Sequence, residues 1–138
     1  MSQENVEVVR RDVAARSMRD WATLAAVWHP DIQLEVIAEL AAVTGTATFR
    51  GFDEIKRFFD GLSDLYAEYR VEADEIIDAG ECVITAERIE GRGLKGSGAP
   101  TWLQERFFRV IGFKDGKVWR VKEYRTRGAA LGAAGLSE

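Results

Sequence analysis

Residues 106–124 read RFFRVIGFKDGKVWRVKEY, which is two alternating apolar segments joined by Asp115-Gly116. Alternation with a period of two is typical of strands that bury one face, and Asp-Gly between two such segments is a hairpin signal. The same period runs from Tyr69 onward and predicts four strands, at about 68–78, 81–92, 101–113 and 117–126. This half of the chain is therefore expected to form an antiparallel sheet, with a bulged hairpin connection between Gly91 and Pro100.

Two registers are compatible with the last hairpin. A two-residue Asp115-Gly116 turn would place Arg109 opposite Lys122, and like charges directly opposite each other are destabilising. A three-residue loop that ends at Gly116 lets opposite charges meet, so we favour it. The pairs that it predicts are Ile111–Trp119, Arg109–Val121, Phe107–Glu123 and Glu105–Arg125.

This register predicts which side chains share a face of the sheet. The face expected to point inward carries Phe107, Ile111, Phe113, Trp119 and Val121 together with Glu105, Arg109, Glu123 and Arg125. The face expected to point outward carries Phe108, Val110, Val118 and Tyr124. The inner face therefore has an apolar end near the turn and a charged end away from it.

Helical periodicity dominates the chain before the strands. A first helix carries Val6, Val9 and Val13, and Asp20 is a suitable N-cap for a second helix that extends through Trp28 and that Pro30 stops. A short segment at 32–37 alternates like a strand. A third helix follows, with one apolar stripe made of Ile55, Phe58, Phe59, Leu62 and Leu65.

Helices followed by antiparallel strands predict an α+β fold. We expect three N-terminal helices on the concave face of a curved, mainly antiparallel sheet, in one domain over residues 1–138. Ala129 to Ala134 is expected to add a final helical turn before Gly135. A coiled sheet wrapped around helices leaves a cone with an open end, which is how this fold would form a pocket.

Composition and charge exclude several classes of function. The net charge is −4, whereas nucleic-acid binding requires a clustered basic surface. No apolar run approaches the roughly 20 residues that span a bilayer, and no signal peptide is evident, so a cytoplasmic location is expected. One histidine and one cysteine, Cys82, give no metal-ligand spacing, and we expect no metal and no cofactor.

The predicted pocket would be lined by both apolar and polar groups. We expect Arg109 to bind an anionic or carbonyl oxygen, with Glu123 as its partner or as a general base, and these two are the candidate catalytic residues. The alternative is that these charges reach solvent at the rim and form weak salt bridges. The predicted ligand-binding residues are Trp21, Trp28, Leu34, Val36, Phe58, Phe107, Arg109, Ile111, Trp119, Val121 and Arg125.

An ordered set of short motifs resembles the SnoaL-like branch of the nuclear transport factor 2-like superfamily. The motifs are Asp20-Trp21, Pro30-Asp31, Phe49-Arg50-Gly51, Asp78-Ala79-Gly80, Gly91-Arg92-Gly93, Ser97-Gly98, Asp115-Gly116-Lys117 and Ala130-Leu131. The resemblance covers nearly the whole chain and implies a cone-shaped cavity. It also implies a homodimer through the outer sheet face, where Phe108, Val110, Val118 and Tyr124 would suit the contact.

The chemistry of the family's enzymes transfers poorly to this sequence. The base of the ketosteroid isomerase branch corresponds to Val36, and its two oxyanion-hole residues correspond to Asp12 and Arg109, so that mechanism is not expected. The scytalone dehydratase branch uses cavity histidines, whereas His29 is the single histidine here. The limonene epoxide hydrolase branch uses two aspartates and an arginine, and Glu123 with its basic neighbours has similar ingredients in a different order.

The sequence leaves three functions open. The first is a binding protein for a small apolar molecule that bears a carbonyl or carboxylate. The second is a cofactor-independent isomerase, cyclase or epoxide hydrolase-like enzyme. The third is a protein-interaction or dimerisation module that works through the sheet face. Fold by itself does not choose among them, because one fold hosts many functions.

Overall fold

The computed structural model describes residues 2–94 and 102–136. Its helices and strands, in chain order, are α1 Ser2–Met18, α2 Trp21–Val27, β1 Trp28–Glu35, α3 Ala38–Thr44, β2 Thr48–Arg50, α4 Gly51–Leu65, β3 Tyr66–Asp78, β4 Cys82–Leu94, β5 Trp102–Lys114, β6 Lys117–Tyr124 and α5 Arg127–Ala133. The sheet order is β2-β1-β6-β5-β4-β3. The pairing of β1 with β6 is parallel and the other pairings are antiparallel, so the predicted α+β fold is confirmed.

The predicted helices form for the expected local reasons. Asp20 caps α2 by accepting a hydrogen bond from the Thr23 backbone N–H at 3.1 Å. The apolar stripe of α4 packs on the inner face of the sheet, where Ile55, Phe58, Phe59 and Leu62 are buried. Leu65, the last residue of the predicted stripe, is instead 42% exposed, because the helix ends there and β3 begins.

The chain departs from the predicted elements between Trp28 and Arg50. Strand β1 begins at Trp28, before Pro30, because the proline keeps the residue preceding it in extended geometry. Helix α3 and strand β2 were not predicted. Helix α3 ends at Gly45, whose φ of +81° suits glycine, and β2 pairs with β1 at the edge of the sheet. Four helices therefore precede the long strands, rather than three.

The predicted register of the last hairpin is wrong. Lys114 pairs with Lys117 across a two-residue turn, in which Asp115 (φ +55°) and Gly116 (φ +73°) both take left-handed geometry. A β-bulge at Trp119 then adds one residue to β6, so that Arg109 pairs with Glu123. The bulge removes the like-charge pairing that argued against the two-residue turn. Because the predicted and observed pairings differ by two residues, Arg109, Ile111, Val121 and Glu123 still share the inner face.

The bulge exchanges the faces of two residues. Val118, predicted on the outer face, is 1% exposed and belongs to the inner core. Trp119, predicted on the cavity wall, is half-buried outside that core, with the Arg120 guanidinium 3.9 Å from its ring centre. Both assignments followed from an unbroken alternation, which a bulge interrupts.

The opposite face of the sheet is partly covered by α5. Ala130 and Leu131 pack on Ile84, and the half-buried Phe108, Val110 and Tyr124 border this small cluster. The final helical turn is thus confirmed, and its packing covers part of the face that was expected to form a homodimer. The dimer itself stays a prediction. Most of the glycine-rich connection between β4 and β5 lies outside the described residues.

Candidate ligand site

Five charged side chains are buried between α1 and the inner face of the sheet. They are Asp12, Arg16, Glu87, Arg109 and Glu123, each at most 5% exposed, and we refer to them as the buried charge cluster. Isolated buried ions cost several kcal/mol each, so such groups persist only when they are paired and hydrogen-bonded. The cluster satisfies this requirement through two connected ion pairs.

The first ion pair joins α1 to β4. Arg16 donates from Nη1 and Nη2 to the two carboxylate oxygens of Glu87, at 2.7 and 3.0 Å. It also donates from Nε to Asp12 Oδ2 at 3.1 Å, and the other oxygen of Asp12 accepts from Trp28 Nε1 at 2.7 Å. The Thr85 hydroxyl donates to Glu87 at 2.6 Å. The charged groups in this half of the cluster therefore all have hydrogen-bond partners.

The electrostatics of Glu87 follow from these contacts. Burial alone would raise the pKa of Glu87, but the charges of Arg16 and Arg109 and the hydrogen bonds from Arg16 and Thr85 outweigh burial and hold the pKa at about 2. Burial would likewise lower the pKa of Arg16, but Asp12 and Glu87 raise it above its ordinary value. Both groups are ionised at neutral pH.

The second ion pair joins β5 to β6. Arg109 Nε donates to Glu123 Oε2 at 3.0 Å, and the other oxygen of Glu123 accepts from the Ile37 backbone N–H at 3.2 Å. Burial raises the pKa of Glu123 above its ordinary value, Arg109 partly offsets this effect, and the charge of Glu87 adds to it. The two buried glutamates are thus shifted in opposite directions, a pattern found where acid–base groups work.

Two buried hydrogen-bond donors make no hydrogen bond among the described residues. Arg109 Nη2 lies 2.9 Å from Glu123 Oε2 but is not aligned for a hydrogen bond. The Tyr69 hydroxyl, on β3, is also buried without a partner. Burial raises the pKa of Tyr69, so this hydroxyl stays protonated at neutral pH.

A small cavity lies beside the cluster. Its volume is about 10 Å³, which is room for about one water molecule. The residues that line it are Asp12, Trp28, Ile32, Leu34, Ile55, Phe59, Arg109, Val118 and Val121. Aromatic side chains fill the space around it, since Trp21 packs edge-on against Trp28 and Phe52. The interior of the cone is therefore much fuller than the open pocket expected from the sequence.

A larger groove opens on the surface between α3 and α4. Its volume is about 630 Å³, and its lining residues are Val43, Thr44, Thr46, Phe49, Glu54, Arg57, Phe58, Gly61 and Leu65. The ring of Phe58 lies 4.5 Å from that of Phe49 and 5.1 Å from that of Phe59, measured between centres. Because Phe59 lines the internal cavity, two adjacent rings separate the groove from the interior.

The structure brings most of the predicted site residues together. Trp28, Leu34, Arg109 and Val121 line the cavity, whereas Val36, Phe107 and Ile111 are buried in the surrounding core and Trp21 packs against it. Phe58 lines the groove. Arg125 lies at the rim, where it pairs with Glu105 at 2.9 Å and with Glu39 at 3.2 Å. Trp119 is excluded from the site by the bulge.

Sequence reasoning missed Arg16 and Glu87 as parts of this site. A signal existed for Glu87, because it alternates with Val83, Thr85 and Ile89 on the apolar face of a predicted strand. A signal also existed for Arg16, which follows Asp12 by four residues and so shares its helix face. Nothing in the sequence paired these residues with each other across the fold.

Other kinds of site receive no support from the described residues. In residues 2–94 and 102–136, no group of three or more histidine, cysteine or acidic side chains could hold a metal ion. His29 Nε2 lies 3.3 Å from Asp115 Oδ2, at the end of the sheet where β5 turns into β6. No helix in this part of the chain is long and apolar enough to span a membrane.

Solved structures with the same architecture include proteins crystallised with small molecules. TerC, co-crystallised with polyporic acid, has a TM-score of 0.73 and 20% identity over 96% of this chain and 98% of that chain. A protein with a ketosteroid isomerase-like fold from Catenulispora acidiphila, in complex with trimethylamine, has a TM-score of 0.66 and 17% identity over 94% of this chain and 93% of that chain. An LEH-like epoxide hydrolase from M. tuberculosis has a TM-score of 0.66 and 18% identity over 90% of this chain and 84% of that chain.

Sequence comparison gives the family. No curated protein matches this chain significantly. The pattern of the SnoaL-like domain, however, matches residues 9–121, which is most of the chain. The three solved structures described above are each under 25% identical to this chain and so show the fold alone. That fold is nuclear transport factor 2-like. The chain belongs to the SnoaL-like domain family.

Proposed function

We propose that this protein binds a small apolar molecule that carries a polar oxygen, inside the cone and next to Arg109. The observation that carries the proposal is the buried Arg109–Glu123 pair beside an internal cavity. Replacing a buried ion pair by packed apolar residues is often neutral or stabilising, so stability alone gives little reason to keep one. Perturbed buried ionisable groups beside a cavity are instead typical of functional sites.

The groove between α3 and α4 offers a route for the ligand. It is within the size range of small-molecule sites, and exposed Val43 and Leu65 make its wall partly apolar. Rotation of Phe58 and Phe59 would join the groove to the cavity, so that an apolar body lies in the groove while a polar group reaches Arg109. The co-crystallisation of a fold relative with polyporic acid supports the binding of an organic molecule by this fold.

Binding can be followed through a side chain that already lines the cavity. Trp28 donates its indole N–H to Asp12 at 2.7 Å, so its indole resonance in ¹H–¹⁵N spectra reports on the cavity. Titration with apolar ketones, amides and epoxides should give saturable shifts of this resonance. If no compound of these classes shifts it, the proposed function fails.

A matched pair of variants tests the role of Arg109. Arg109→Lys keeps the charge but loses the forked geometry of the guanidinium, so the Kd should rise about tenfold or more. Arg120→Lys, on a neighbouring strand outside the core, should leave the Kd within about twofold. Equal effects of the two substitutions would show that Arg109 has no part in binding.

A catalytic role is the second candidate, and the raised pKa of Glu123 is the observation that favours it. A glutamate whose pKa is raised by burial keeps its proton to a higher pH than an exposed one, which suits a general acid. Arg109 would stabilise negative charge that develops on a ketone or epoxide oxygen. Conversion of styrene oxide to its diol should then disappear in Glu123→Gln and persist in Glu105→Gln, with both variants shown to be folded by their spectra.

The remaining expectations stay predictions. The homodimer would use the exposed parts of Phe108, Val110 and Tyr124, which pack at the edge of the α5 cluster. Val118 can take no part because it lies in the core. The cytoplasmic location is likewise a prediction. Neither is required by the ligand site.

A further inference from the structure

We infer that the polar group of the ligand is a hydroxyl, which donates its proton to Asp12 and accepts a hydrogen bond from Arg109 across the internal cavity. The inference rests on the proposed function and narrows it, because carbonyl, epoxide and carboxylate groups also carry a polar oxygen. It adds Asp12 to the groups that contact the ligand. The position of Asp12, its remaining acceptor capacity and the size of the cavity support it.

Four members of the buried charge cluster form a chain of contacts that begins and ends at the cavity. Asp12 Oδ2 accepts from Arg16 Nε at 3.1 Å, and Arg16 Nη1 donates to Glu87 Oε1 at 2.7 Å. The same oxygen of Glu87 lies 3.8 Å from Arg109 Nε. Asp12 and Arg109, the two ends of this chain, both line the cavity. A group placed in the cavity therefore meets a carboxylate and a guanidinium.

The carboxylate of Asp12 can accept a further hydrogen bond. Its Oδ1 accepts from Trp28 Nε1 at 2.7 Å, and each oxygen of a carboxylate has lone pairs for two donors. Trp28 also lines the cavity, so Oδ1 is bonded to a second side chain of the cavity wall. Because Asp12 is buried, a donor that enters the cavity would form a charge-assisted hydrogen bond away from solvent, which is one of the stronger kinds.

Arg109 can donate into the same cavity. Its Nε and Nη2 lie 3.0 and 2.9 Å from Glu123 Oε2, so one edge of the guanidinium faces Glu123. A guanidinium has five N–H donors in a fixed planar fork, and those of Nη1 lie outside that edge. Because Arg109 lines the cavity, these remaining donors can serve an oxygen placed there without breaking the ion pair.

A hydroxyl is matched to both of these neighbours. It has one O–H donor for Asp12 and lone pairs for Arg109. A ketone or epoxide oxygen has no proton to donate, so its lone pairs would face the carboxylate. A carboxylate would add negative charge beside a cluster that already holds three carboxyl groups against two guanidinium groups. The cavity volume of about 10 Å³ is room for about one water molecule, which also favours a single oxygen over a carboxylate or an amide.

Asp12→Asn and Glu7→Gln form a matched pair of variants on α1. Both replace a carboxylate by an amide of the same shape, but Glu7 is exposed and pairs with Arg10 at 3.5 Å. An amide has one acceptor oxygen where the carboxylate has two, and Trp28 and Arg16 already use both oxygens of Asp12. Asp12→Asn should therefore abolish any preference for an alcohol over a ketone, whereas Glu7→Gln should leave that preference unchanged. A preference that persists in folded Asp12→Asn overturns the inference.

A measurement on the wild-type protein covers the case in which Asp12→Asn does not fold. The carboxyl ¹³C resonance of Asp12 should shift more at saturation with an alcohol than with the corresponding ketone, because only the alcohol donates to this carboxylate. Equal shifts overturn the inference.

The probes are 1-phenylethanol and acetophenone, which have the same carbon skeleton and differ in whether the oxygen carries a proton. Dissociation constants come from the Trp28 indole shift at pH 7.5. We expect 1-phenylethanol to bind about tenfold or more tightly than acetophenone, because a site that accepts a hydrogen bond from a ligand discriminates against the analogue that cannot donate it. Acetophenone binding as tightly as the alcohol overturns the inference and leaves the proposed function standing. If neither probe binds, the proposed function fails and the inference fails with it.

Discussion

Arg109 and Glu123 lie directly opposite each other on β5 and β6, and their side chains form a buried ion pair with 2.9 Å between Nη2 and Oε2. The pair exists because a bulge of one residue, Trp119, displaces β6 relative to the turn. Without the bulge, the two-residue turn would have placed Arg109 opposite Lys122. A local irregularity in one strand therefore creates the polar centre of the candidate site.

Breaking this ion pair should destabilise the protein strongly. Glu123→Gln leaves Arg109 buried with a neutral partner, and removing one member of a buried pair costs about 3–5 kcal/mol. Glu105→Gln, which breaks a pair with the half-exposed Arg125 at the rim, should cost less than about 1 kcal/mol. Urea unfolding of the two variants measures the difference. Similar losses in both would mean that Arg109 is not held in a dry interior.

The protein should become less stable at low pH because Glu87 takes up a proton. The pKa of Glu87 is lowered from 4.5 to about 2 in the folded protein. A carboxyl with a lowered folded-state pKa contributes stability that is present above the unfolded-state pKa and lost as pH falls through the folded-state pKa. The free energy of unfolding should therefore decline between about pH 4.5 and pH 2, by about 3 kcal/mol from this group.

Urea unfolding at several pH values tests this expectation, with Glu87→Gln as the comparison because it has no carboxyl at this position. The stability difference between wild type and variant should shrink as the pH falls through this window. A difference independent of pH would contradict the lowered pKa. Glu123 acts in the opposite sense, since its raised pKa removes stability as pH rises above its ordinary range.

Because of the bulge, we expect substitutions of two neighbouring residues to differ in their effect on stability. Val118→Ala should cost about 2 kcal/mol, because the side chain is buried in the inner core and its removal leaves a cavity. Trp119→Ala should cost about 1 kcal/mol or less, because it removes a half-buried ring that stacks with Arg120. Thermal or urea unfolding of the two variants shows which substitution costs more stability. The reverse order would support the unbroken alternation expected from the sequence.

Gly91 should not tolerate a side chain. A Cβ at this position would lie 2.7 Å from Cγ of the Tyr66 ring, so Gly91→Ala should cost about 1–3 kcal/mol through overpacking. Gly61→Ala is the control, since a Cβ there meets nothing within 4 Å. It lies inside α4 and should stabilise the protein by about 0.5–1 kcal/mol. Equal effects would mean that Tyr66 moves aside freely.

The sequence by itself determined the class of fold and much of the inner face. Helical and alternating periodicity gave the helices α1, α2 and α4 and the strands β3 to β6, because burial of one face imposes a period that can be read without coordinates. The same period placed Arg109, Ile111, Val121 and Glu123 on one face. It could not show the bulge, because an inserted residue leaves no mark on composition and simply reverses the alternation after it.

Only the tertiary structure decided which charges meet. Arg16 and Glu87 are 71 positions apart, and their contact depends on how α1 crosses the curved sheet, which no local pattern encodes. The same holds for the volume left inside the cone, since it depends on how Trp21, Phe52 and Phe59 pack there. Periodicity reports which side chains are buried, whereas partners and empty space follow from the three-dimensional packing of distant segments.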